Sequence, residues 1–411
     1  MISLERDTTP DSIVEINLPA SKSISNRALI IQYLAEADIR VENLSEADDT
    51  VYLNDALRNG GDELWMGDAG TASRFSIAYA AVKSGRRTIR GSERLSQRPM
   101  KPLIDALRSL GANIVCLEKE GYLPVEIIGQ EIPGGEVEIE ASVSSQFISA
   151  LMLIGPQLTK GLVIKFRGKP TSLPYLAITE EVMKMCGAEV RIGEDSIVVG
   201  PRKYVSAIVH VEPDWSAASY FFSAVALNPQ LKVLLKGLNS QAIQGDANLV
   251  DLYEPLGVEP TFNQSGLLLE HSDKATPPLT TDLQDNPDLA QTIAATYAGL
   301  NKEVLLTGLH TLKVKETDRL RAMVNELSRM GVRSEATDDS LIVKAGHELL
   351  SDKFIHTYGD HRMAMAFAPL VFMTKLSLED PLVVAKSFPD FFAQFSKLGV
   401  KTKVTGSKFD W

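Results

Sequence analysis

The chain repeats itself, and no other feature constrains its fold as much. A helix-like segment, a turn centred on glycine and a strand-like run appear together at Leu103 to Val115 around Leu110-Gly111-Ala112, and again at Ile178 to Ile192 around Cys186-Gly187-Ala188. The pattern returns at Leu249 to Phe262 with Leu256-Gly257-Val258, at Leu320 to Val332 with Met330-Gly331-Val332, and at Phe391 to Val404 with Leu398-Gly399-Val400. These glycines lie about 70 residues apart, a period long enough for a complete supersecondary unit. A sixth copy, Val51 to Gly61, is shortened, because the strand pair expected after it is missing before Trp65.

Each copy carries a second helix that is polar in its first turn and apolar nearly all round afterwards. These are Ser21 to Leu34, Gly70 to Val82, Ser144 to Ile154, Asp214 to Leu227, Asp288 to Leu300 and Asp360 to Met373. A helix apolar on every side belongs inside its domain. Strand-like runs follow, such as Val163-Ile164-Lys165-Phe166, Val304-Leu305-Leu306 and Leu382-Val383-Val384. The unit therefore reads strand, buried helix, strand, outer helix, strand, strand, and about six of them fill the 411 residues. Solenoid repeats would be shorter and would leave one side of each helix on the surface. Closed α/β domains built from several units fit better.

Composition narrows the function. Hydrophobic residues make up 44% of the chain, enough for a sizeable core. With a net charge of -11 and no long basic run, a nucleic-acid partner is not expected. The longest apolar stretches, Met363 to Met373 and Phe147 to Gly155, fall short of the roughly 18 residues that a membrane span needs. Cys116 and Cys186 are too few for a disulfide framework, and the opening Met1 to Asp7 is polar where a secretion signal would be apolar. A reduced cytoplasmic protein with two buried structural thiols is expected. Neither His-x3-His nor Cys-x2-Cys ligand spacing is present, nor a Gly-x-Ser-x-Gly elbow, so no metal site is expected. The chemistry that remains is positioning, charge stabilisation and proton transfer.

The charges sit at particular places in the repeat. The inward-facing helices begin with polar turns, where free backbone N–H groups and the helix dipole favour an anion. The first reads Ser21-Lys22-Ser23-Ile24-Ser25-Asn26-Arg27, with Ser23 and Arg27 four apart on one face. Gly67-Asp68-Ala69-Gly70-Thr71-Ala72-Ser73-Arg74 lets backbone amides approach a ligand closely, and Ser144-Ser145-Gln146 offers two hydroxyls and an amide before Phe147. Polar loops stand at equivalent places: Gln97-Arg98-Pro99, Ser172-Leu173-Pro174-Tyr175, Lys313 to Arg319, and Lys386-Ser387-Phe388-Pro389. Asp360-His361-Arg362 opens the last buried helix. Taken singly, each segment also reads as a helix cap or a salt-bridged surface turn.

Taken together, the segments resemble the enolpyruvyl transferase family. The likeness rests on Ser21-Lys22-Ser23-Ile24-Ser25-Asn26-Arg27-Ala28, Ala69-Gly70-Thr71, Ser144-Ser145-Gln146-Phe147, Lys315-Glu316-Thr317-Asp318-Arg319 and Asp360-His361-Arg362-Met363-Ala364-Met365, which follow the family's order over essentially the whole chain. The resemblance implies a two-domain α/β fold of three βαβαββ units per domain, an inside-out α/β barrel with helices at its centre. One domain would run over 20–211 and the other over 1–19 plus 212–411, with the active site in the cleft between them. It further implies transfer of the enolpyruvyl group of phosphoenolpyruvate to the 5-hydroxyl of shikimate 3-phosphate with release of phosphate. No cofactor is implied, and a monomer is expected.

The same resemblance assigns residues. Phosphoenolpyruvate would be held by Lys22, Gly70, Arg98, Gln146, Arg319, Arg362 and Lys386. Shikimate 3-phosphate would meet Lys22, Ser23, Arg27, Ser144, Ser145, Gln146, Ser172, Tyr175, Asp288 and Lys315. Two like charges about 5 Å apart repel by roughly 3 kcal/mol at an effective dielectric near 20, so two polyanionic substrates need several converging cations. Asp288 is the candidate to accept the hydroxyl proton and Glu316 to exchange protons with the methyl carbon, with Lys22 and His361 assisting. Four positions depart from the family: Asp68 where many relatives carry Asn, Thr311 for Asn, Leu173 for Lys, and Phe75 for Pro. A sister enzyme that acts on UDP-N-acetylglucosamine typically has a reactive Cys before the Arg98-type position, and Gly91 to Gln97 contains none. The remaining rival is a non-catalytic anion-binding relative, against which the joint presence of Lys22, Asp288, Glu316 and His361 argues.

Overall fold

Every segment read as an inward-facing helix is buried in the computed structural model, which describes residues 1–141 and 144–405. Helix Ala290–Gly299 is buried at every position, and so is His361–Phe367. In Ser145–Ile154 the exception is Gln146, and in Trp215–Leu227 it is Ser216, each in the polar first turn. Ala, Ser and Gly recur along these helices because several of them pack side by side without a sheet between them, and small side chains allow that approach.

The chain divides into two compact units, one of residues Met1–Pro19 and Pro213–Trp411, the other of Ala20–Glu212. Among the described residues the strands form six sheets, five of four strands and one of two. Each four-stranded sheet has one parallel pair of strands, to which two more strands are joined antiparallel. In the 20–212 unit, for example, Glu63–Trp65 runs parallel to Gly85–Arg90, which pairs antiparallel with Val125–Gly129 and through it with Asn113–Cys116. The two-stranded sheet, Ile39–Glu42 with Ala207–His210, belongs to the shortened repeat. The architecture is thus the expected α/β fold of βαβαββ units with one unit cut short.

The repeat glycines end the outer helices by turning the backbone left-handed. Gly111, Gly187, Gly257, Gly331 and Gly399 have φ of 101°, 82°, 87°, 84° and 80°, a region where other residues are strained. Conformation, not chance, imposes glycine at these places.

Four expectations are corrected. Leu382-Val383-Val384 is not a strand but part of a 3-10 turn, Pro381–Lys386; Asp380 caps that turn and Pro381 cannot donate to a sheet. The strand of that repeat is the shorter Leu376–Leu378. The last buried helix is α-helical only over His361–Phe367 and continues as 3-10 over Ala368–Phe372, where Pro369 removes a backbone donor. The N-terminal segment supplies two strands rather than one: Ile2–Arg6 sits between Leu376–Leu378 and Val400–Val404, and Val14–Ile16 pairs in parallel with Val233–Lys236. Cys186 is buried and its thiol is pushed up to about 11 by that burial, whereas Cys116 is only half-buried.

Candidate active site

In the 20–212 unit the polar helix starts are tied together by long-range contacts. Lys22, in the first turn of Lys22–Leu34, places its Nζ 3.0 Å from Asp49 Oδ2. One turn on, Arg27 is buried. Its Nε donates to Thr179 Oγ1 at 2.7 Å, Nη1 to the Ser23 carbonyl at 2.8 Å, and Nη2 to the Tyr175 carbonyl at 3.0 Å and Ser149 Oγ at 3.3 Å. Burial lowers this guanidinium to about 10, still charged at neutral pH. Arg27 thus joins Ser23 to the start of helix Leu173–Met185, where Ser172 has a left-handed φ of 54° and its hydroxyl lies 3.3 Å from Thr171 Oγ1. Leu173, at the head of that helix, is exposed.

A second knot surrounds Gly70. A Cβ at this position would stand 2.8 Å from Arg98 Cζ and 2.9 Å from Arg74 Nη1, so two guanidinium groups press against the start of helix Gly70–Val82. A larger residue here would have to displace one of the two guanidinium groups. Arg74 Nη1 donates to Gln146 Oε1 at 2.6 Å and its guanidinium lies 5.0 Å over the Phe147 ring. Ser144 caps helix Ser145–Ile154 by accepting the Gln146 N–H at 3.3 Å. Phe75, a departure from the family, lies under Arg27 at 5.4 Å, replacing a rigid ring with a cation–π contact. Asp68 accepts the Ser92 hydroxyl. Lys22, Ser23, Arg27, Ser172 and Tyr175 therefore form one group, and Gly70, Arg98, Gln146, Ser144 and Ser145 a second; helices Lys22–Leu34 and Gly70–Val82 connect them through Arg27 and Phe75.

The other unit gathers its predicted residues into one ion network. Arg319, at the first turn of Arg319–Arg329, is 2% exposed. Its Nε donates to Asp360 Oδ2 at 2.7 Å, Nη1 to Asp288 Oδ1 at 2.9 Å and Nη2 to Glu316 Oε2 at 2.8 Å. Arg362 Nη2 donates to Asp288 Oδ2 at 3.0 Å and Nη1 to the Asp288 carbonyl at 3.2 Å. Lys315 Nζ lies 3.6 Å from Asp288 Oδ1, and Lys386 Nζ 3.4 Å from Glu316 Oε1. His361 Nδ1 is 3.5 Å from Asp360 Oδ1. All seven residues expected on this unit, Asp288, Lys315, Glu316, Arg319, His361, Arg362 and Lys386, are thus brought together. Thr311 is buried in the 3-10 turn that ends just before Lys315.

Electrostatics decides the protonation of the network. Burial pushes the Asp288 carboxyl up, but Arg362, Lys315 and Arg319 outweigh it and hold the group well below the ordinary carboxylate range. Burial would lower the Arg319 guanidinium, yet Asp360, Glu316 and Asp288 more than offset this and raise it above its usual value. Because the folded Asp288 carboxyl sits below its unfolded value near 3.9, its contribution to stability is complete above about pH 5 and is lost as pH falls toward the folded value. Asp288→Asn is therefore expected to lower stability by about 2 kcal/mol at pH 7. The gap in thermal midpoint between the variant and the parent should begin to narrow below about pH 4 and shrink further as pH falls toward the folded value; a gap that stays constant from pH 7 to 3 would mean that the carboxylate charge is not what stabilises the network.

Two functional partners escaped the sequence reading. Asp49 is the buried acceptor for Lys22, and nothing in its neighbourhood marks it among the other carboxylates of Glu46 to Asp55. Asp360 stands in the sequence only as part of a helix start; in the fold it both caps that helix, accepting the Arg362 N–H at 2.9 Å, and anchors Arg319. The Asp that opens a polar helix turn was a visible signal for the cap, but not for the arginine 41 residues away. Among the described residues no group of three or more His, Cys, Asp or Glu side chains is disposed to hold a metal ion, and no helix is long and apolar enough to cross a membrane.

Comparison with known proteins follows the same lines. The profile of the family "EPSP synthase (3-phosphoshikimate 1-carboxyvinyltransferase)" matches residues 11–65 and 59–395, two stretches that meet at the shortened repeat. A 3-phosphoshikimate 1-carboxyvinyltransferase of Bacteroides fragilis (strain YCH46) is 42% identical over 393 residues, covering 95% of this chain and 96% of the relative. Among solved structures, an EPSP synthase from Acinetobacter baumannii superposes with a TM-score of 0.79 at 21% identity, covering 99% of this chain and 100% of that one. The enolpyruvyl transferase NikO from Streptomyces tendae superposes with a TM-score of 0.77 at 16% identity, covering 98% of each chain. At these identities the two structures speak for the fold alone.

Proposed function

The chain belongs to the EPSP synthase family, and from that premise we propose that its two sets of polar helix starts together bind the substrates of enolpyruvyl transfer. The protein is a transferase that moves the enolpyruvyl group of phosphoenolpyruvate to the 5-hydroxyl of shikimate 3-phosphate and releases phosphate. The observation that carries the residue assignment is the network of Asp288, Lys315, Glu316, Arg319, Arg362 and Lys386, which sets four cations beside the two carboxylates that the proton steps require.

In this reading Arg319, Arg362 and Lys386, with Lys22, Gly70, Arg98 and Gln146, hold phosphoenolpyruvate. Lys315 and Asp288, with Lys22, Ser23, Arg27, Ser144, Ser145, Gln146, Ser172 and Tyr175, hold shikimate 3-phosphate. The arginines suit the task because a planar guanidinium meets a carboxylate or phosphate with two donors at once. Gly70 keeps Arg98 close to the backbone N–H groups of a helix start, so an anion there meets dipole and guanidinium together.

A proton given by Glu316 or Lys22 to the methylene carbon of phosphoenolpyruvate makes a cation-like centre at C2. The 5-hydroxyl oxygen attacks that centre while Asp288 takes the hydroxyl proton. The resulting tetrahedral adduct loses phosphate as a proton leaves the methyl group to Glu316, restoring the double bond. Asp288 held far below neutrality is a weak base toward a hydroxyl. Substrate anions that engage Arg362, Lys315 and Arg319 draw charge away from Asp288, which raises its proton affinity when the hydroxyl is in place. Lys22 and His361 assist by charge and hydrogen bonding. The protein acts in this reading as a cytoplasmic monomer, and its two cysteines, too few for a disulfide framework, support the reducing compartment.

Purified protein mixed with phosphoenolpyruvate and shikimate 3-phosphate is expected to release inorganic phosphate in proportion to the enol ether formed, and to release none when either substrate is omitted. Tight binding of both substrates without turnover would instead identify a non-catalytic anion-binding relative.

A further inference from the structure

The helix that begins with Arg319 holds a second buried carboxylate with no part in the steps above. Glu326 lies seven residues on from Arg319, on the same face, and is 0% exposed. Its Oε1 accepts the Tyr358 phenol O–H at 2.6 Å, and its Oε2 accepts the His356 backbone N–H at 3.1 Å. Arg329 Nε, from the same helix, reaches Oε1 at 3.2 Å. The residues that Glu326 grips belong to another repeat, in the loop between strand Lys353–Ile355 and helix His361–Phe367.

That loop is conformationally demanding. Tyr358 has a φ of 55° and Gly359 of 65°, two successive left-handed residues, the first of them a bulky side chain that rarely adopts this region. The turn closes with the Asp360 N–H donating to the Thr357 carbonyl at 2.9 Å. The next three residues are Asp360, His361 and Arg362. One helix therefore brackets the loop at both ends: Arg319 grips Asp360, and Glu326 grips His356 and Tyr358. A second carboxylate, Glu379, supports the middle by accepting the Thr357 N–H at 3.3 Å. Burial, followed by the bond to Glu326, raises the Tyr358 phenol above its ordinary value, so it stays a donor through the neutral range.

We propose that Glu326 and Tyr358 form a clamp that holds the loop His356–Gly359 in its left-handed path and thereby sets the placement of Arg362, making both positioning residues for phosphoenolpyruvate. The inference rests on the enolpyruvyl-transfer reading. The clamp acts at the head of helix His361–Phe367, where a shift of well under one helical turn would move the Arg362 guanidinium off Asp288 and off its substrate. Tyr358 is itself partly exposed, so removing its hydroxyl leaves the core intact.

Tyr358→Phe and Glu326→Gln, singly and together, test the clamp. Tyr358→Phe is expected to raise KM for phosphoenolpyruvate about fivefold while KM for shikimate 3-phosphate stays within twofold. A merely structural loss would reduce the active fraction, lowering kcat with both KM values unchanged. Since both variants break one device, the double variant should be no worse than Glu326→Gln alone. Amide hydrogen exchange over residues 355–362 should speed about tenfold in Tyr358→Phe, a readout that needs no turnover and so separates failure of the clamp from failure of the enzymatic assignment. Unchanged KM for phosphoenolpyruvate in a folded Tyr358→Phe protein, or losses that multiply in the double variant, would overturn the proposal.

Discussion

Glu316→Gln is expected to lower turnover by about 10²- to 10⁴-fold, the range that removal of a positioned proton-transfer group commonly costs, while the protein stays folded. Glu316 has Arg319 Nη2 2.8 Å from one carboxylate oxygen and Lys386 Nζ 3.4 Å from the other. The ionised carboxylate is the form able to take a proton from the methyl carbon of the tetrahedral adduct. Glutamine keeps the size and can still accept from Arg319, but cannot hold the proton. The loss should therefore fall on kcat, with KM for either substrate within a fewfold of the parent. Solvent deuterium provides an independent check: exchange into the methylene group of phosphoenolpyruvate during turnover should slow at least as much as phosphate release. Turnover within threefold of the parent would remove Glu316 from the chemical step and leave Lys22 as the group to examine.

The contrast between Glu316 and its partners shows what was legible in the sequence. The repeat was visible because its glycines serve a backbone need, the left-handed turn at the end of each outer helix, which other residues meet only with strain. The inward-facing helices were visible because apolar residues on all sides admit one environment. Short-range chemistry was visible too, as in Glu316 and Arg319, three apart at the head of one helix. Pairings across the fold were not. Arg74 meets Gln146, 72 positions away, and Arg362 meets Asp288, 74 away, through packing of separate helices that no local pattern encodes. Glu326 is the sharpest case, since on sequence it is one more charged residue of an amphipathic helix, yet it is fully buried against a loop of the following repeat. The misread Leu382-Val383-Val384 shows the reverse error: β-branched composition suggested a strand where Pro381 and the Asp380 cap set a 3-10 turn.

Arg319 is where the two kinds of information meet, and its replacement is expected to have the largest effect on stability. Arg319→Met keeps the length and apolar stem but withdraws the cation from three carboxylates at once. Asp288 retains Arg362 and Lys315, and Glu316 retains Lys386. Asp360 is differently placed: it is 0% exposed and takes two of its hydrogen bonds from Arg319, at 2.7 Å and 3.3 Å. Removing one partner of a buried pair typically costs about 3–5 kcal/mol because the other charge is left in a poorly solvating place. Arg319→Met should lose about that much in the urea unfolding of the unit that carries it. Adding Asp360→Asn should then restore part of the loss rather than deepen it, because an amide can still accept the Arg362 N–H that caps the helix but carries no stranded charge. Arg319→Lys should fall between, keeping the charge but not the three-way fork, and should raise KM for phosphoenolpyruvate at least tenfold. Equal stability of Arg319→Met with and without Asp360→Asn would mean that Asp360 is not the stranded partner, and that the network is held by packing rather than by the charge at its centre.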